Sequence, residues 1–201
     1  SISMTQQAGV HGGGSDAQAM HGGDSDDAQA MHDGAQELPA GPHNLDSLKQ
    51  RRLGSYEHMY DQRDLILYSL GLGFNTRGDG ALRFIWEGHP SFTPLPLYAI
   101  IAAHPALTAM PLGHFIPGFD RTKALHGEQY LKMVSPLPLQ GKLVTSPMLV
   151  DVQEKGKGVV IIAAATTVDS MTGHIVAEHE FVVFGLGAGG PGMPTPSPVP
   201  P

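Results

Sequence analysis

The sequence contains no cysteine, which excludes disulfides, thiolate nucleophiles and cysteine-based zinc sites. Charge is sparse, 15% of residues, and basic charge sparser, with 12 Lys+Arg against 19 Asp+Glu and a formal net charge of -7. That balance argues against a nucleic-acid groove or a basic helix lying on a membrane. The longest apolar runs, residues 97–103 and 159–165, fall far short of the roughly 20 residues that span a bilayer. The N-terminal stretch is rich in Gly, Asp, His and Ala rather than basic and then apolar, so no secretory signal is expected. Aromatic residues are also few, at 6%.

Glycine and proline are abundant, 26 and 17 residues, and they cannot all sit inside regular elements. Residues 1–54 have almost no large apolar side chains, and Asp16-Ala17-Gln18-Ala19-Met20-His21 recurs as Asp27-Ala28-Gln29-Ala30-Met31-His32. So short a repeat buries too little to offset chain ordering, so a disordered tail is expected. His11, His21 and His32 alternate with Asp there, a composition that at most binds divalent metal weakly; no metal site is expected. Residues 191–201 are Pro-rich and read as an extended linker. One domain is expected between these ends, over residues 55–190.

Within it, DQRDLILYSL (61–70) reads as a helix capped by Asp61 and followed by Gly71 and Gly73. ALRFIWE (81–87) alternates and reads as a strand. PLYAIIAAHPALTAM (96–110) reads as a helix apolar on nearly all sides, hence buried, with Pro105 expected to kink or end it. Four strands follow, at 123–134, 141–153, 159–168 and 174–184, with Pro147 hinting at an edge or bulge. Lys155-Gly156-Lys157-Gly158 and residues 169–173 supply hairpin turns. An antiparallel meander curved around one greasy helix accounts for this order: an α+β hot-dog fold, in which sheet and helix bury each other.

Most chemical motifs fail for lack of context. Gly185-Leu186-Gly187-Ala188-Gly189-Gly190 matches G-x-G-x-x-G, but prolines follow where a dinucleotide site needs a helix. No Asp or Glu lies between Gly88 and Phe119, so the central helix carries no carboxylate base or nucleophile. His104 sits there alone and reads as a core histidine. Leu125-His126-Gly127-Glu128-Gln129-Tyr130 concentrates polarity on an apolar strand, with Gly127 marking either a bulge or the close approach of a ligand. Lys155-Gly156-Lys157-Gly158 is either a solvated turn or a phosphate cradle.

The runs Tyr60 to Gly73, Leu82 to Gly88, Thr122 to Leu131, Pro136-Leu137-Pro138, Gly141-Lys142-Leu143 and Asp151 to Gly156 resemble the N-terminal half of the MaoC-like (R)-specific 2-enoyl-CoA hydratase 2 family, whose members occur in peroxisomal multifunctional enzymes. The resemblance implies two hot-dog repeats per chain. The second carries an Asp-x-Asn-Pro-x-His motif that activates water for addition to a trans-2-enoyl-CoA, giving the (R)-3-hydroxyacyl-CoA of fatty-acid β-oxidation. The first accommodates the acyl chain. Carried over, ligand contacts fall on His126, Gly127 and Lys155, with no catalytic residue and no cofactor; Glu87 matches an acidic position taken as structural. Only Asn44 and Asn75 occur, neither followed by Pro, so the water-activating motif is absent. The expectation is a non-catalytic, acyl-CoA-binding half with a C-terminal catalytic hot-dog as partner, homo-oligomeric and peroxisomal by resemblance, although Val199-Pro200-Pro201 is no peroxisomal tripeptide. The alternatives are a non-enzymatic binding or dimerisation module and, more remotely, an acyl-CoA thioesterase using His104.

Overall fold

The computed structural model describes Lys49, residues 52–78 and residues 80–190, all in one unit of the chain, Met31–Pro201. The repeat-bearing tail and the Pro-rich end lie outside the described residues.

Five strands form one antiparallel sheet among the described residues: β1 (Tyr56–Tyr60), β2 (Ala124–Met133), β3 (Gly141–Lys155), β4 (Gly158–Asp169) and β5 (Ile175–Leu186). Their spatial order is β1-β3-β4-β5-β2. Helix α1 (Gln62–Gly71) follows β1, α2 (Leu82–Ile85) is a single turn, and α3 (Tyr98–Thr108) packs against β1, β3, β4 and β5. The sheet curls around α3, as the hot-dog expectation requires.

Local chemistry explains the elements. Asp61 accepts from the backbone N–H of Arg63 and Asp64 at 2.8 and 3.2 Å, and Asp64 accepts from the Asp61 N–H at 2.9 Å. This reciprocal capping box starts α1 at the expected residue. In α3, Ala99, Ala102, Ala103 and Ala106 are at most 1% exposed; their i, i+3, i+4, i+7 spacing makes one small-residue face, which lets the helix lie close to the sheet. β4 alternates strictly, burying Ile161, Ala163, Ala165 and Thr167 beneath the helix. Gly156 has φ +62°, the left-handed geometry that the two-residue β3–β4 turn requires.

Several expectations need correction. Residues 81–87 are not a strand: Phe84 and Trp86 donate to the carbonyls of Ala81 and Leu82, closing a helical turn. Leu82 and Trp86 both remain exposed, so the alternation reflects no buried sheet face. Pro105 does not end α3, which continues to Thr108, and the Ala109 N–H reaches the Pro105 carbonyl at 3.0 Å. The carbonyl a proline leaves unpaired here belongs to exposed Ile101, where the loss costs little. The four expected strands are not a simple meander, since β2 pairs with β5 instead of β3. The segment between them crosses the end of the sheet, tied by Val134 and Ser135 N–H to the Val176 carbonyl and by the Tyr60 hydroxyl to the Pro138 carbonyl. β3 is thereby free to take β1, an unforeseen strand, as its other neighbour. Pro147 lies beyond the end of β1, where β3 is flanked among the described residues by isolated bridges from Lys49 and Arg52, and its carbonyl accepts from Leu53 N–H at 2.8 Å.

The buried side chains form two main clusters under the helix. One gathers Leu112, Ile116, Leu149, Val152 and Ile161; the other gathers Tyr60, Leu65, Tyr98, Leu143 and Val176. Phe181, packed with Ala103 and Ala165, forms a third, and Leu107 touches both this one and the first.

Candidate acyl-binding cavity

Where the C-terminal half of α3 parts from β4 and β5, a cavity of about 220 Å³ opens. Its walls are apolar, made by Leu107 of α3, Ile161 and Ala163 of β4, and Phe181 and Val183 of β5. Its polar lining is His104, Thr108, Arg121 and His126, all exposed residues. No carboxylate lines it among the described residues.

Each polar group has a local reason for its place. Thr108 donates its hydroxyl back to the carbonyls of His104 and Pro105 at 3.2 and 3.1 Å, which ties down the last turn of α3. Arg121 opens a 3₁₀ turn begun by Asp120, whose carboxylate accepts from the Thr122 N–H and hydroxyl at 2.9 and 2.7 Å. Those bonds hold the Asp120 carboxyl below its ordinary value. The Arg121 guanidinium donates to the Met110 carbonyl at 2.8 Å and so spans from β2's approach to the end of the helix. His126 precedes a bulge, because the β2–β5 register jumps from His126↔Val183 to Glu128↔Val182. Gly127 is the extra residue, and a Cβ there would lie 3.3 Å from the Val182 carbonyl oxygen. The His126 ring lies 6.2 Å from that of Phe181, and its Nε2 is 3.2 Å from the Glu128 carbonyl.

The three residues carried over by resemblance do not converge on one place. His126 lines the cavity, and Gly127 is the bulge beside it. Lys155 ends β3 at the hairpin tip, exposed and apart from the cavity lining. One lining residue was misplaced by sequence reasoning and another was missed. His104 is an exposed residue at the cavity and not a core histidine; Pro105 beside it offered no hint of this. Arg121 was not singled out, although Asp120-Arg121-Thr122 bears a capping pattern that could have placed it at a turn.

Two other polar groupings lie under the helix. His58 Nε2 is 3.0 Å from the Tyr98 hydroxyl, within a set of rings that includes Tyr60 and Tyr68. Burial lowers the His58 pKa, with Asp64 opposing, while burial and the Asp64 and Asp61 charges push Tyr98 up to about 12. The second is a line of Thr145, Thr167 and His179, with hydroxyl oxygens 2.8 Å apart and Thr167 Oγ1 3.0 Å from His179 Nε2. Burial pushes His179 down to about 4. Burial disfavours the charged form of both histidines, and the side-chain hydrogen bonds given for them among the described residues are to hydroxyls, not carboxylates. Among the described residues no cluster of His, Cys, Asp or Glu could hold a metal, and no helix is long and apolar enough to cross a membrane; the stretch after Gly190, where a dinucleotide site would need its helix, lies outside the described residues.

Comparison with known proteins is consistent with this geometry. The family model for the MFE-2 hydratase 2 N-terminal domain matches residues 58–187. The mouse peroxisomal multifunctional enzyme type 2 is 34% identical over 155 residues, covering 76% of this chain and 20% of that protein. The Arabidopsis thaliana peroxisomal enoyl-CoA hydratase 2 is 29% identical over 154 residues, covering 73% of this chain and 49% of that protein. This chain thus spans between a fifth and a half of those relatives. The full-length peroxisomal multifunctional enzyme type 2 of Drosophila melanogaster superposes with a TM-score of 0.55 at 27% identity, over 73% of this chain and 25% of that one. A MaoC-like dehydratase from Phytophthora capsici, at 24% identity and a TM-score of 0.58 over 79% of this chain and 56% of its own, shares the fold.

Proposed function

Since this chain belongs to the family of MFE-2 hydratase 2 N-terminal domains, we propose that it is the acyl-chain-accommodating, non-catalytic hot-dog repeat of an (R)-specific trans-2-enoyl-CoA hydratase acting in peroxisomal fatty-acid β-oxidation. The observation that carries this reading is the cavity: apolar walls deep inside, histidine, threonine and arginine lining it besides, and no carboxylate among its described lining residues. Such a lining suits an alkyl tail whose thioester carbonyl stays at the polar side chains. It supplies no acid/base pair to hydrate the double bond, and losing that pair removes the step itself. A second hot-dog repeat would carry the Asp and His that do so.

In this reading His126 and Arg121 face the thioester end, and the Gly127 bulge keeps the backbone low enough for the ligand to pass. Lys155, with Lys157 and the turn amides, meets the phosphates of coenzyme A, to which ammonium groups and flexible backbone amides are suited. The test is to mix the protein with crotonyl- and decenoyl-CoA and follow both binding and hydration. Binding without hydration supports the division of labour, and robust turnover by this chain refutes it.

One observation favours a second reading, a module that pairs with another hot-dog. β2 is an edge strand with Leu125 and Tyr130 more than half exposed, and unpaired strand edges invite partners. Light scattering separates the two, since a clean monomer weighs against obligate pairing. The thioesterase reading keeps only His104, which lines the cavity without a carboxylate to orient it.

A further inference from the structure

We propose that Phe181 is the floor of the cavity and sets its length limit, so that this chain takes acyl tails of up to about nine carbons; this deepens the acyl-binding reading above and rests on it. An apolar cavity of about 150 Å³ holds a six-carbon ring. On that scale the 220 Å³ found here holds roughly nine carbons.

What closes the far end is visible. Phe181 is 1% exposed and packs with Ala103 of α3 and Ala165 of β4, so its ring sits between helix and sheet on that side. Behind it, His179 stacks on the ring with centroids 5.8 Å apart and planes 17° from parallel. His179 Nδ1 is buried with no hydrogen-bond partner among the described residues, and so is Oε1 of Gln129, which pairs directly across from Phe181 on β2. The space beyond the ring is therefore polar as well as filled. The groups beyond the ring are polar and already enclosed, so a methylene pushed past Phe181 would gain no apolar surroundings there, and a longer tail does better leaving its surplus at the open end.

Titration calorimetry of the full chain with saturated acyl-CoAs from four to sixteen carbons reads this out. Affinity should climb about fourfold per added carbon while methylenes are being buried, then level off between eight and ten carbons. Phe181→Ala removes a six-carbon ring and should carry the climb several carbons further. Ala163→Leu adds three carbons to the cavity wall and should bring the plateau about three carbons earlier; it decides the matter should Phe181→Ala fail to fold. A climb that continues unbroken to sixteen carbons overturns the floor while leaving acyl binding intact. A plateau unmoved in either folded variant overturns it as well. Absence of binding at every length overturns the acyl-binding reading itself, and the floor with it.

Discussion

Acidification should unload the fold through His179. In the folded protein its pKa is pushed down to about 4 by burial alone; in the unfolded chain it returns to about 6.5. Between those values the unfolded state binds a proton that the folded state refuses, so stability rises with pH across that window and is lost as pH falls through it. The difference is worth about 3 kcal/mol between pH 7 and pH 4, a large share of a typical domain's 5–15 kcal/mol. The structural cause is specific. His179 is 3% exposed, Nε2 is engaged by Thr167, and no acceptor faces Nδ1 among the described residues, so an imidazolium would be buried with a proton and nowhere to place it. Its cross-strand partners, Leu131 and Ala165, carry no charge to offset it. Urea unfolding of the protein and of His179→Leu at several pH values from 7.5 to 4.5 checks this. The substitution leaves Thr167 still bonded to Thr145. The natural protein should lose up to about 3 kcal/mol more than the variant on acidification, most of it below pH 6. Parallel losses in the two proteins would refute the reasoning and shift the acid sensitivity elsewhere, to His58 first.

Other substitutions have definite outcomes. Gly158→Ala would place a methyl group on the Gly185 carbonyl oxygen across the β4–β5 pair, backbone against backbone; a loss of about 3 kcal/mol or failure to fold is expected in denaturant titration. Gly127→Ala meets the Val182 carbonyl at 3.3 Å, so it should cost about 1 kcal/mol, and by shifting His126 it should weaken acyl-CoA binding more than it weakens the fold, measured by calorimetry beside thermal unfolding. Asp61→Ala removes the side-chain half of the α1 capping box, the bonds from the Arg63 and Asp64 N–H groups, and leaves the Asp61 N–H on the Asp64 carboxylate; it should cost about 1 kcal/mol with ligand binding unchanged.

Much of the fold was legible because its signals were local. The Asp61 cap, the β3–β4 turn at Gly156-Lys157 and the alternation along β4 each depend on a few adjacent residues, and each lies where the sequence places it. β1 escaped because its inward residues are Tyr56, His58 and Tyr60, while Met59 points outward at 78% exposure. Its apolar pattern is therefore inverted: hydroxyls and an imidazole go inside, where each of His58 and Tyr60 finds a partner. The position of β2 beside β5 is a non-local fact, set by a crossing segment whose ties run to Val176 and Tyr60 rather than to its own neighbours. At the site, His126 and the Gly127 bulge were legible as polarity on an apolar strand. His104 and Arg121 were not, because what brings them to one cavity is the angle at which α3 leaves the sheet, and no spacing along the chain encodes that.

The central claim, that the space beneath the C-terminal half of α3 is where an acyl tail goes, is tested most directly by methyl NMR. Resonances of Leu107, Ile161, Ala163 and Val183 should be followed while octanoyl-CoA, and in parallel free coenzyme A, is added. The account predicts that these methyl groups shift with octanoyl-CoA and not with coenzyme A alone. Shifts confined to the Lys155–Gly158 hairpin, identical for both ligands, would contradict it.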